Sequence, residues 1–369
     1  MLIIEKGKRS SLPKKYRPVN NLCAYIYDHF TSILQDKHFL EHANLEISLD
    51  QEKQQLLNEL TDNSIHALDF LQINGMSKEL TEILKKHVTM SILGDFVNFI
   101  YESLSCAQRG KMTVAYALLR KPLTDELLIF KQLLIDPDDF IQRFFHLKDL
   151  KGYDPSEPNL NRKQIINDVF DKAHPGVVYV PELIYDLRYE KTNPSGLNGI
   201  SNQALHIVTM HKAYRTEDGE LNFIFSNDKD HKRYWEHYYY FVPYLLLYAA
   251  HILDELVFSW MPDYKNLRGV RGLQRVIGFY LWSVHMQGKS KKVKASRQIL
   301  LDFLAQFLNS PCENCGKPQE FEEADYILFF GEELLLCRHC YYNHLSSDIF
   351  LERINTFMNL FHNRDDLVA

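Results

Sequence analysis

Four cysteines stand in two matched pairs, Cys312-Glu-Asn-Cys315 and Cys337-Arg-His-Cys340, with 21 residues between the pairs. A two-residue gap lets a tight turn aim both sulfurs at one point, and two such turns supply the closed four-thiolate set of structural zinc. Gly316 follows the second ligand, where glycine accepts backbone angles that other residues resist. The spacer holds Tyr326-Ile-Leu-Phe-Phe330, then Gly331, then Leu334-Leu-Leu336, and reads as a hairpin between two zinc knuckles. Four reduced cysteines without metal, or two redox pairs, are the competing reading, and His339 and His344 are close enough in sequence to substitute as ligands. Four thiolates leave no open coordination position, so the expected Zn²⁺, one per chain, is structural. Cys23 and Cys106 stand alone in apolar helical contexts and read as core thiols.

A second concentration of chemistry is cationic. From Tyr264 to Arg297 there are nine basic residues, Lys265, Arg268, Arg271, Arg275, Lys289, Lys291, Lys292, Lys294 and Arg297, and no Asp or Glu. Arg268, Arg271 and Arg275 recur at three and four, so a helix places them on one side, where they can neutralise phosphates while Tyr264, Tyr280 and Trp282 stack on bases. The zinc module has the opposite sign, with Glu313, Glu320, Glu322, Glu323, Asp325, Glu332 and Glu333 against Lys317 and Arg338. Two expectations follow: the basic stretch binds RNA, DNA or a protein partner, or the acidic module docks on it and uses up both surfaces.

Catalytic constellations are thin. The chain has no G-x-x-x-x-G-K-S/T loop, no G-x-G-x-x-G after a strand, no G-x-S-x-G and no H-E-x-x-H. Arg233 and His237, at i and i+4, would share a helix face and pair a phosphate-holding cation with a proton-transferring imidazole. His251 with Asp254 and Glu255 resembles a ligand set, although inside an apolar helix a satisfied core histidine explains it as well.

The elements that must carry these groups are mainly helical. Residues 1–20 form a basic arm with Lys6, Lys8, Arg9, Lys14, Lys15 and Arg17 against Glu5. An N-terminal helical domain follows over 21–150. Leu56, Leu57, Leu60, Ile65, Leu68 and Leu71 mark one helix face, a long helix runs from about Ser77 to Cys106, and an apolar segment from Lys111 to Leu134 is kinked or split at Pro122. Asp136-Pro137 reads as an N-cap and first turn. A linker over 151–161 leads to a mixed domain over 162–309, with a short β-hairpin near 203–226 where Leu205-His-Ile-Val-Thr-Met210 and Leu221-Asn-Phe-Ile-Phe225 flank Glu217-Asp-Gly219. The zinc module spans 310–345 and a C-terminal helix 346–369.

With 46% hydrophobic and 24% charged residues the chain has ample material for a core. The N-terminus lacks the charged, apolar, small-residue order of a secretory leader, and the apolar run Tyr238 to Leu253 is broken by Pro243 and falls short of the roughly 20 residues of a membrane span. The composition therefore reads as cytoplasmic, with no membrane role, and leaves a homodimer open.

The segment Leu93-Gly-Asp-Phe-Val-Asn-Phe-Ile-Tyr-Glu-Ser-Leu104, continuing through Val114-Ala-Tyr-Ala-Leu-Leu-Arg-Lys-Pro-Leu-Thr-Asp-Glu-Leu127, resembles helical bacterial domains of unknown function grouped with HEPN-like proteins. The resemblance covers about a quarter of the chain and rests mainly on Arg120 inside an apolar helix, with Glu102 or Glu126 as its expected partner. It implies an RNA-cleaving toxin or host-defence effector. HEPN ribonucleases carry an Arg and a His separated by four to six residues, whereas Arg233 to His237 leaves three and Arg143 to His146 leaves two. The leading expectation is therefore a zinc-binding protein with a binding or accessory role, and the alternative is a HEPN-like nuclease.

Overall fold

A computed structural model describes residues 2–44, 66–176, 178–286 and 291–362, without the side chains of 285, 286 and 291–297. The helices of eight or more residues are α1 (Arg17–Gln35), α2 (Ser77–Gln108), α3 (Met112–Arg120), α4 (Leu127–Ile135), α5 (Arg162–Ala173), α6 (Pro181–Arg188), α7 (Leu197–Leu205), α8 (Asp228–Phe258), α9 (Lys265–Met286), α10 (Lys291–Leu308), α11 (Glu323–Glu332) and α12 (Asp348–His362). The expected mainly helical class holds, and the apolar spacings from Ser77 onward become helices close to the expected positions. Of the apolar stripe that precedes Ser77, Leu56, Leu57, Leu60 and Ile65 lie outside the described residues, and Leu68 and Leu71 fall in the helix Ala67–Ile73.

The core is organised around α8. Asn227 caps it by accepting from the amides of Lys229 and Asp230, and the chain then buries Tyr238, Tyr239 and almost everything from Phe241 to Phe258. Helices α1, α4 and α9 pack around it. It is long and apolar enough to cross a membrane, yet 94% of its most apolar window is packed inside the protein. Burial on all sides explains why its composition is apolar all round. Pro243 lies inside it and does not end it.

At Pro122 the apolar segment is split, as expected, but by widening: Lys121–Glu126 is a π-helical turn between α3 and α4. The carbonyls exposed by this turn find donors on the next layer. Arg188, fully buried, donates through Nε to Leu123 and through Nη2 to Thr124, and the Tyr189 hydroxyl also reaches Thr124. Asp136 caps the following helix by accepting from the Asp139 amide, again as expected.

Two expected β-hairpins fail. Among the described residues there is no β-strand, and the hairpin near 203–226 is a loop after α7. Its two arms are joined by side-chain bonds, Thr209 amide to Thr216 Oγ1 and Asn222 Nδ2 to His206 O, with only isolated backbone links such as Thr216 N to Thr209 O. Ile207, Val208, Met210, Ile224 and Phe225 stay exposed, so no apolar face is buried to hold a two-stranded ladder. The second failure is in the four-cysteine module, where the spacer forms α11 rather than a hairpin. Glu322 and Asp325 build a reciprocal cap at its start, and the only bridge pairing among the described residues is Leu336 with Asn343.

The basic arm folds onto α1. Leu2 and Leu12 are buried, Asn21 exchanges two hydrogen bonds with Ile4, and Asn20 donates to the Leu2 carbonyl. Arg120 is exposed and donates to Asn202, not to Glu102 or Glu126.

Candidate metal centre

The four cysteines are brought together by two turns of the same design. In the first, the Cys312 amide donates to Lys317 O and the Gly316 amide returns to Cys312 O. In the second, Cys337 donates to Tyr342 O and Tyr341 returns to Cys337 O. Each turn needs a left-handed residue four positions after its first ligand. Gly316 supplies it with φ +70°, and Tyr341 supplies it with φ +58°. The first turn is visible in the sequence through its glycine, and the second is hidden behind a tyrosine.

The sulfurs lie 3.5–3.8 Å from one another, with Cys312 to Cys340 and Cys315 to Cys337 both at 3.7 Å. A tetrahedron with Zn–S bonds of about 2.3 Å has an S···S edge of about 3.8 Å, so the cluster fits a zinc-sized ion without rearrangement. No disulfide links them. Amides point at the sulfurs: His339 N–H at Cys337 and the Asn314 side-chain amide at Cys340, 3.3 and 3.4 Å away. The Asn314 amide and the Tyr342 N–H favour the Cys340 thiolate, the direction a metal ligand needs, while hydrogen bonds to the other three sulfurs push the Cys315 thiol up. His339 and His344 are not in the cluster. His339 is exposed, and His344 is buried against Phe321 and Phe350.

The module is tied into the body of the protein. Tyr326, Phe329 and Leu335 are fully buried, Phe330 meets Tyr25 of α1 edge-on, and Tyr280 and Gln274 of α9 bond to Glu323 and Glu333. Arg338, inside the second cysteine pair, reaches Glu322 and Asp325 at the start of α11. The acids of the module are thus partly engaged within it.

The basic stretch behaves differently from a phosphate-binding face. Arg271 and Arg275 are 4% and 5% exposed and both bond Asp254 of α8. The remaining donors of Arg271 go to Ser32 Oγ and His29 O, 2.9 Å each. Burial alone would raise the Asp254 carboxyl, but the two guanidinium groups hold it below the ordinary range. Arg268 pairs with Glu255 and Lys265 with Glu352. Arg271 and Arg275 are therefore corrected from surface to core. Docking of the stretch does occur, but its carboxylates come from α8 and α12. Lys289 lies outside the described residues, and so do the side chains of Lys291, Lys292, Lys294 and Arg297. His251 is a core histidine that meets Ala173 O and Arg275 through its two nitrogens.

Arg233 and His237 line one open cleft of about 630 Å³ between α8 and the 215–227 loop. His237 Nε2 lies 2.7 Å from Ser195 O and Nδ1 3.0 Å from the Tyr116 hydroxyl. A carbonyl only accepts, so Nε2 carries the proton; the Tyr116 hydroxyl has one proton, and Tyr234 O, 2.8 Å from it, competes with Nδ1 for it. Burial pushes the imidazole down, with the Ser195 carbonyl opposing. Arg233 is mostly exposed and pairs with Asp230.

Comparison with protein-family models, with curated proteins and with solved structures finds no match to this chain.

Proposed function

We propose that the four cysteines hold one structural Zn²⁺ and that this is a zinc-stapled helical protein acting by binding rather than by catalysis. The observation that carries this reading is the closed set of four sulfurs at tetrahedral spacing, which leaves no coordination position for a substrate. In the zinc-loaded form the thiolates fix two turns that ordinary packing leaves at the surface, and the metal's binding energy becomes folding energy for α11 and its anchors. His237 Nε2 is bonded to the Ser195 carbonyl and Nδ1 stands against the buried Tyr116 hydroxyl, so each ring nitrogen has a protein neighbour, which supports the non-catalytic reading.

A second reading is an RNA-cleaving, HEPN-like defence effector. It is favoured by the shared cleft of Arg233 and His237. Incubation of the protein with single-stranded and transfer RNA, with and without Mg²⁺, separates the two. The binding reading expects no cleavage by the native chain or by His237→Ala. Cleavage by the native chain that disappears in His237→Ala would contradict it and assign Arg233 as phosphate clamp and His237 as proton carrier.

A further inference from the structure

A concavity of about 1160 Å³ lies between the N-terminal arm and α11. Its lip is the arm, with Lys6, Lys8, Arg9, Lys14 and Arg17 against the single carboxylate Glu5. That is a strong local excess of positive charge on a chain whose net charge is −6. Arg17 spends its donors on the lip itself, bonding the carbonyls of Leu12, Lys8 and Ser10 at 3.1–3.3 Å. Lys8 pairs with Glu5. Lys6, Arg9 and Lys14 are exposed and make no ion pair among the described residues. The floor is apolar: Leu22 and Tyr25 from α1, Leu281 from α9, and Ile327 and Phe330 from α11. Ile327 is 49% exposed, and the Tyr25 ring is only half-buried.

We propose that this cleft binds single-stranded nucleic acid, with phosphates along Lys6, Arg9 and Lys14 and bases on the floor around Tyr25. A row of cations on a lip tied together by Arg17 suits a repeating polyanion better than a ligand with one charge. An apolar floor suits bases, whose faces stack without needing hydrogen-bond partners. A peptide backbone laid on that floor would leave its amides unpaired. Burial, then the carboxylates of Glu332 and Asp28, push the Tyr25 hydroxyl up; those carboxylates add negative charge at the ring end, so phosphates belong at the arm. The inference rests on the zinc reading in one respect: α11, held between the two cysteine pairs, supplies part of the floor.

The test is fluorescence anisotropy of a labelled oligouridine of about twelve nucleotides, titrated with zinc-assayed full-length protein at several salt concentrations. Lys6→Glu/Arg9→Glu/Lys14→Glu should weaken binding about tenfold or more and flatten the salt dependence by about two, at roughly 0.7 for each phosphate no longer neutralised. The charge-matched control Lys78→Glu/Lys212→Glu/Lys229→Glu should bind like the native chain. A duplex of the same length should bind more weakly, because its bases are not free to reach the floor. Equal losses in both triple variants, equal affinity for duplex, no binding at low salt, or displacement by polyglutamate as readily as by oligouridine would each overturn the proposal, the last pointing to an acidic protein instead. A zinc-loaded chain that does not bind sinks the cleft alone. Native protein that neither carries nor takes up zinc and still binds sinks the zinc reading alone.

Discussion

At the residue scale the two cysteine turns offer a direct comparison, because one position is occupied by Gly316 and its counterpart by Tyr341. Both hold positive φ, where a Cβ meets the following carbonyl at a cost of about 1 kcal/mol. Tyr341 is 77% exposed, so its side chain contributes little packing in return. Gly316→Ala should therefore destabilise the module by about 1 kcal/mol, and Tyr341→Gly should stabilise it by about 0.5–1 kcal/mol. Chelator-driven unfolding followed by intrinsic fluorescence measures both. Opposite signs are expected, and equal signs would mean that the two turns are not equivalent. The cysteines were legible because ligand chemistry dictates residue type and spacing. Tyr341 was not, since a tyrosine carries no signal of left-handed backbone, and Asn314 was not, since its role depends on the other pair of cysteines.

At the element scale, the long helix expected from about Ser77 to Cys106 and the apolar segment split at Pro122 were legible, and both are found as α2 and as α3 with α4. The misreadings arose where the partner lies far away in sequence. The spacing of Arg268, Arg271 and Arg275 does put them on one side of α9, but that side faces Asp254 and Glu255 on α8. Nothing within the stretch itself reveals those acids. The β-rich runs near 207 and 224 lacked any third element to pack on. The junction of α3 and α4 carries a consequence for pH. Glu126 is 4% exposed, and burial and the Asp95 carboxylate push its carboxyl up to about 8, with Lys121 opposing. An unfolded glutamate releases its proton near 4.3. Between those values the folded chain binds more protons than the unfolded one, so this group's contribution to stability falls as pH rises from about 4.3 to 8. Glu126→Gln should melt like the native chain near pH 4 and progressively above it toward pH 8, where only the native carboxyl ionises. Melting curves that stay parallel across this range would remove Glu126 as the cause.

At the scale of the whole molecule the C-terminal module was legible as a metal unit and not as an integral part of the body. Its α11 buries Tyr326 and Phe329, reaches α1 through Phe330 and α9 through Glu323, and walls the cationic cleft. Loss of the metal should therefore be felt beyond the cysteines, as lowered stability of the packed face between α9 and α11. Everything else rests on the metal itself, and elemental analysis of the purified protein decides whether it is there. One zinc per chain is expected in the native protein, one in Cys23→Ser, and a marked loss with destabilisation in Cys315→Ser and Cys340→Ser. Native protein that carries no zinc and takes up none when it is supplied, or Cys315→Ser that retains a full equivalent, would overturn the four-thiolate site.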